Sequence, residues 1–130
     1  MKNKIEMLEK GLSACSTTTV TAANTAVAMG SGDMEVFATP AMVALMENAG
    51  MRAVAAVLPE GSTTVGSEMN TTHIKPSGLG AGITATAVLT EVEGRKLTFT
   101  VGARDAEGMI GEGVHVRYVV DRAKFLSKVR

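Results

Sequence analysis

The sequence predicts an α+β domain in which an antiparallel sheet wraps around one long central helix. Three observations carry this. Residues 39–58, TPAMVALMENAGMRAVAAVL, form the one long stretch with apolar residues at helical spacing. From residue 63 onward, strand-length runs alternate apolar and polar side chains between turn-forming clusters. The composition, 45% hydrophobic but only 3% aromatic, permits one core built from aliphatic side chains, Ala and nine Met. Strands grouped after a single segregated helix belong to the α+β class. A length of 130 residues fits one domain spanning positions 1–130.

In chain order, residues 2–12 are read as a short helix or extended arm that Gly11 ends. Cys15 to Thr21 is rich in β-branched residues and reads as a strand, which Ala22 to Ala28 can continue. Gly30 to Asp33 is a turn, and Met34 to Ala38 leads in extended form to the helix. Thr39 is a good N-cap, because its hydroxyl can accept a free backbone N–H of the first turn. Pro40 suits the first helical position, where no N–H is needed. Met42, Leu45, Met46, Ala49, Ala53 and Val57 make the apolar stripe, with Glu47 on the flank beside Val43, Gly50 and Val54. Pro59 to Ser62 stops the helix. Thr63 to Ile74 alternates, placing Val65, Met69, Thr71 and His73 on one face and Thr64, Gly66, Glu68 and Asn70 on the other. After a break at Lys75 to Gly78, three further strands follow over 80–92, 96–104 and 109–120. Ile83, Ala85, Ala87 and Leu89 mark the apolar face of the first, and Leu97, Phe99 and Val101 that of the second. Turns at Glu93-Gly94-Arg95 and at Asp105 to Gly108 join them, and Asp121 to Lys128 can cap and form a terminal helix. The run reads as four antiparallel strands connected by short turns. A sheet covered by one helix leaves its edges unpaired, and two copies joined edge to edge would protect them. A homodimer is therefore expected, with a tetramer also open.

Composition narrows the function. Thirteen basic and thirteen acidic residues cancel, so the electrostatic footprint of a nucleic-acid binder is missing. The absence of Trp and scarcity of aromatics also argue against a base-stacking surface. The single cysteine, Cys15, cannot close an internal disulfide, which agrees with a cytoplasmic location, and a small buried thiol is expected there. Glu6 and Glu9 interrupt the N-terminal segment, which does not read as a signal peptide. No stretch approaches ~18 uninterrupted apolar residues, so no membrane span is expected. No His/Cys pair has metal-ligand spacing, and no phosphate-binding fingerprint is present, so neither metal nor nucleotide cofactor is expected. Gly78, Gly80 and Gly82 precede a strand rather than a helix, and Ser77 lacks the setting of a nucleophile elbow.

Of the two histidines, His115 lies mid-strand in HVRY and reads as structural. His73 ends a strand next to a turn, where side chains can face a cleft. Thr39, Glu47 and His73 then supply a hydroxyl, a carboxylate and an imidazole, a set able to carry acyl transfer. A helix N-terminus adds free N–H groups and a positive dipole end suited to a developing oxyanion. Glu47 taken alone reads as a surface glutamate on the helix edge.

The segments ATPAMVALMENA and TVGSEMNTTHIKPSGLG resemble the hotdog-fold thioesterases of the fluoroacetyl-CoA thioesterase type, and the similarity extends over most of the chain. The resemblance implies a hotdog fold and hydrolysis of an acyl-CoA thioester to the free acid and CoA. It implies Thr39, Glu47 and His73 as the catalytic set. Gly66, seven residues before His73, would offer an oxyanion-donating N–H, and Arg117 would contact the substrate or CoA. Lys75, Pro76, Ser77 and Gly78 would flank the pantetheine groove, with Lys75 and Arg117 at its rim for the phosphates. In this scheme Glu47 is the general base or nucleophile, His73 moves protons and Thr39 positions. The CoA thioester is the substrate, and no cofactor is implied. The family's aromatic lid ahead of the helix is matched here only by Phe37 in MGSGDMEVF. A small- or medium-acyl activity is therefore expected rather than a fluoroacetyl-specific one. The alternative is a non-catalytic acyl-CoA or acyl-carrier binding module on the same fold. The joint presence of Thr, Glu and His favours the enzyme.

Overall fold

The structure, a computed structural model, describes residues 8–130. Positions 2–7 of the arm read over 2–12 lie outside the described residues, and residues 8–12 are in neither helix nor strand. The elements are β1 (Ser13–Thr19), α1 (Ala26–Met29), α2 (Thr39–Ala55), β2 (Ser62–Thr71), β3 (Gly82–Glu93), β4 (Lys96–Asp105), β5 (Gly108–Asp121) and α3 (Arg122–Ser127). One antiparallel sheet of order β1-β3-β4-β5-β2 curls around α2, which gives the expected α+β architecture of a sheet wrapped on a helix.

The strand order corrects the simple succession of hairpins. β3, β4 and β5 do form a meander, through tight turns at Gly94 and before Gly108, both at positive φ. β2 pairs only with β5 and is an edge strand. Residues 72–81 cannot be a hairpin, because their backbone is engaged elsewhere. Thr72 N–H donates to Glu112 O (3.0 Å), Ile74 N–H to Ile110 O (2.7 Å), and Phe37 N–H to Ser77 O (2.8 Å).

Alternation fixes the core on the inner face. Ile83, Ala85, Ala87 and Leu89 of β3 and Leu97, Phe99, Val101 and Ala103 of β4 are buried. Helix α2 covers them with Met42, Met46, Ala49, Gly50 and Val54. Its buried stripe is thus turned from the expected one toward the Gly50–Val54 flank, and Leu45, Ala53 and Val57 are only partly covered. Gly50 explains the turn. A Cβ there would lie 3.2 Å from His115 Cδ2 and 3.4 Å from Arg117 Cδ, so the missing side chain lets the helix close on β5. The helix ends at Ala55, with Ala56 as its C-cap, rather than running on to Leu58.

Two local expectations fail. Residues 22–28 do not continue β1. Thr25 Oγ1 accepts from Ala28 N–H (3.3 Å) and caps the short helix α1 instead. Cys15 is exposed rather than buried, because Ser16, its neighbour of opposite parity, takes the inward position of β1. The terminal helix α3 forms as read, with the Asp121 carboxylate accepting from Lys124 N–H. No described helix is long and apolar enough to cross a membrane.

Candidate active site

Thr39 is the first residue of α2 and not its N-cap. Ala38 occupies that position, without a side-chain cap, and its N–H donates to Asn24 O. The Thr39 hydroxyl is consequently free of capping and lies 2.7 Å from His73 Nδ1. His73 reaches this point because the β2–β5 pairing runs on past Thr71 through the Thr72 and Ile74 amides. Gly113 of β5 makes that close passage possible. A Cβ there would collide with Asn70 O and Thr71 Cα.

The His73 ring stands edge-on to Phe37, with centroids 6.4 Å apart at 78°. Its Nε2 is buried and makes no hydrogen bond. Burial lowers the His73 pKa below its usual 6.5, against a smaller opposing influence of the Lys75 backbone. The ring is therefore neutral at pH 7 and hydrogen-bonded to a hydroxyl. A cleft of about 260 Å³ opens beside the pair, lined by Phe37, Thr39, His73, Ile74, Lys75 and Pro76 together with Ala26, Ser31 and Val36. The first-turn amides of Thr39 and Ala41 have no carbonyl within the helix to bind, and Pro40 has no N–H.

Glu47 lies two turns along α2, roughly 12 Å from Thr39 by helical rise. It is half-buried and faces Gly66. A Cβ on Gly66 would sit 2.7 Å from Glu47 Oε2, 3.2 Å from His115 Cε1 and 3.3 Å from Arg117 Nη1. The β2 register against β5 shifts between Gly66 and Glu68, which marks a β-bulge. The bulge moves the alternation by one residue. Gly66 and His73, opposite in simple strand parity, thereby both face α2. Among the described residues no hydrogen bond joins Glu47 to Thr39 or His73.

Arg117 is only 6% exposed and is not a rim residue. Its Nε donates to Thr64 Oγ1 (2.8 Å), Nη2 to Thr64 O (3.0 Å), and Nη1 lies 3.1 Å from His115 Nε2. Burial pulls the Arg117 pKa down and the Glu47 charge pulls it back up. A guanidinium so enclosed cannot reach a phosphate at the mouth of a groove. The residue that sequence reasoning missed is His115, which is 1% exposed and central to this cluster. A signal was available. His115, Arg117 and Val119 share one parity in β5, so an Arg there sits in the buried phase and needs partners.

Lys75 is not a free cation. Its Nζ lies 2.6 Å from Asp105 Oδ2, to which Ser77 Oγ also donates (2.9 Å). The hydrogen bond from Lys75 holds the Asp105 carboxyl at about 2, with Glu107 N–H and Ser77 adding to it and desolvation opposing. Lys75 is raised by the same bond. Ser77 is buried and faces Asp105, and Gly78 bridges to Val36. Of the four expected groove residues, Lys75 and Pro76 line the cleft. Among the described residues no three His, Cys, Asp or Glu side chains are grouped to hold a metal ion.

The family model of fluoroacetyl-CoA-specific thioesterases matches residues 20–123. The fluoroacetyl-CoA thioesterase of Streptantibioticus cattleyicolor is 45% identical over 96 residues, covering 74% of this chain and 69% of that protein. A solved structure of the fluoroacetyl-CoA thioesterase superposes with a TM-score of 0.88 at 36% identity, over 95% of this chain and 96% of that one. A mutant of the same enzyme in complex with acetyl-CoA gives 0.89 at 35% identity, over 95% and 97%. A thioesterase superfamily member from Thermus thermophilus gives 0.86 at 28% identity, over 94% and 90%.

Proposed function

The chain belongs to the fluoroacetyl-CoA-specific thioesterase family, and from that premise we propose that it hydrolyses a small or medium acyl-CoA thioester with Thr39, Glu47 and His73. It is a thioester hydrolase of the hotdog fold. The observation that supports the site is the 2.7 Å contact between Thr39 Oγ1 and His73 Nδ1 at the mouth of a cleft beside a helix N-terminus. A hydroxyl paired with a neutral imidazole can hold a thioester and move a proton in the same place.

Water adds to the thioester carbon and gives its proton to Glu47, the one carboxylate of the cluster that carries no hydrogen bond among the described residues. The oxyanion is stabilised by the free amides at the start of α2, beside the cleft that holds Thr39 and His73. Collapse breaks the C–S bond, and CoA sulfur leaves as thiolate. The proton that Glu47 took from water passes to that sulfur by way of the neutral His73 ring and the Thr39 hydroxyl, so that each side chain ends in its starting state. Thr39 acts as a positioning group in this reading, its hydroxyl held on the His73 ring while Glu47 activates the attacking water. The apolar walls Ala26, Val36, Phe37 and Ile74 suit a short acyl chain, and pantetheine runs out past Lys75 and Pro76.

A homodimer accompanies this reading. On β1, the Arg52 guanidinium donates to Cys15 O, whereas β2 carries no neighbour on its outer side. Light scattering should give twice the chain mass, and a stable monomer would remove this part. The enzymatic reading is tested by thiol release from a panel of short, medium and aromatic acyl-CoAs. Cleavage of the short members is expected. Tight binding of CoA ligands with no thioester cleaved would leave a binding module in its place.

A further inference from the structure

One buried ring joins the edge strand to the guanidinium. His115 Nδ1 lies 2.7 Å from Glu68 O, and Nε2 lies 3.1 Å from Arg117 Nη1. A backbone carbonyl only accepts and a guanidinium only donates. The two contacts together require the proton on Nδ1 and the lone pair on Nε2, which is a neutral ring. Glu68 belongs to the β2 bulge that turns Gly66 toward Glu47. Arg117 is fixed at its other end by Thr64. Ring, guanidinium and carboxylate converge on the same face of Gly66.

We propose that His115 is a positioning residue for the hydrolysis, holding the bulge at Glu68 and the Arg117 guanidinium from opposite ends of one neutral ring and so fixing Gly66 and Arg117 relative to Glu47. This rests on the reading of Glu47 as the reacting carboxylate. A phenylalanine would keep the volume and lose both bonds. An imidazolium would turn a second N–H against Arg117 Nη1 and set two positive charges together. The groups facing the ring are the Glu68 carbonyl from β2, Glu47 from α2, Arg117 from β5 and the uncharged Phe99 ring of β4. Burial foremost, then the Arg117 charge, keep His115 neutral, against the Glu68 carbonyl and Glu47.

Imidazole nitrogen NMR on the unmodified protein should find His115 neutral at pH 7 with its proton on Nδ1. An Nε2–H tautomer or a charged ring at that pH overturns the proposal. In acyl-CoA hydrolysis, His115→Phe should lower kcat on the order of tenfold to a hundredfold with a much smaller change in KM. His115→Gln, whose amide oxygen can accept from Arg117, should recover part of the loss. Parental kcat in folded H115F overturns the proposal. Should H115F not fold, H115N carries the test, since its amide can only replace the donor to Glu68 O, and parental kcat in it is again fatal. Unmodified protein that cleaves no acyl-CoA overturns the reading of Glu47 instead, while the tautomer measurement still decides the state of the ring.

Discussion

The Thr39 side chain has three chemical options at the start of a helix: capping, solvent, or a partner across the cleft. It takes the third, and the choice depends on Ala38 standing as the cap residue. Had the hydroxyl closed on the first-turn amides, both it and those amides would be lost to a substrate. The variants follow from these roles. Glu47→Gln and His73→Ala should each lower turnover by about a hundredfold or more, because each removes a proton-transfer group. Thr39→Ser keeps the hydroxyl and should stay near parental turnover, whereas Thr39→Val keeps the shape and should lose most of it. Single-turnover thioester cleavage distinguishes these. Equal rates for the Ser and Val variants would take the hydroxyl out of the mechanism.

At the scale of elements, the site is assembled by departures from regularity. The inner faces of β3 and β4 were legible, since strict alternation over Ile83 to Leu89 and Leu97 to Val101 has one physical reading. The bulge between Gly66 and Glu68 was not, because it inserts one residue without a turn signal and inverts the parity of all that follows. The short helix α1 escaped for a related reason. Four residues carry no period, and its existence rests on one Thr25 cap. His115 is read from its local context and Arg117 through the resemblance, while their surroundings are β2 partners some fifty residues away in the chain and α2 partners farther off still. The connection 72–81 is fixed by Asp105, which accepts from Lys75, Ser77 and Glu107 N–H. Its folded pKa of about 2 lies below the ordinary 3.8. A depressed carboxylate stabilises the fold above its unfolded pKa and loses that effect as pH falls through the folded one. Asp105→Asn should thus lower Tm at every pH above 3.8, and the gap to the parent should close between 3.8 and about 2. Melting curves across that range test it, and a gap that is absent at pH 7 would remove the ion pair as a support of the connection.

For the whole molecule, the acid side of the stability curve is set first by the two histidines. Both His73 and His115 have pKa values lowered from 6.5, in each case foremost by burial. Above pH 6.5 folded and unfolded chains are alike neutral at these positions, and no slope arises. As pH falls below 6.5 the unfolded chain takes up protons that the folded chain does not, so the unfolded state gains and stability declines. The decline from each ring stops once its folded pKa is passed. Asp105 adds nothing until pH drops below 3.8, so the histidine region is separate from the carboxylate region. Melting temperature should consequently begin to fall near pH 6.5, before the common carboxylates titrate. In His115→Phe the slope should be shallower, because the unfolded variant has one fewer imidazole to protonate. A parent whose Tm stays level between pH 6.5 and about 5, or a variant with the parental slope, would mean that the buried ring accepts a proton in place. The Nδ1–H tautomer between Glu68 O and Arg117 would then not be what fixes this end of the site.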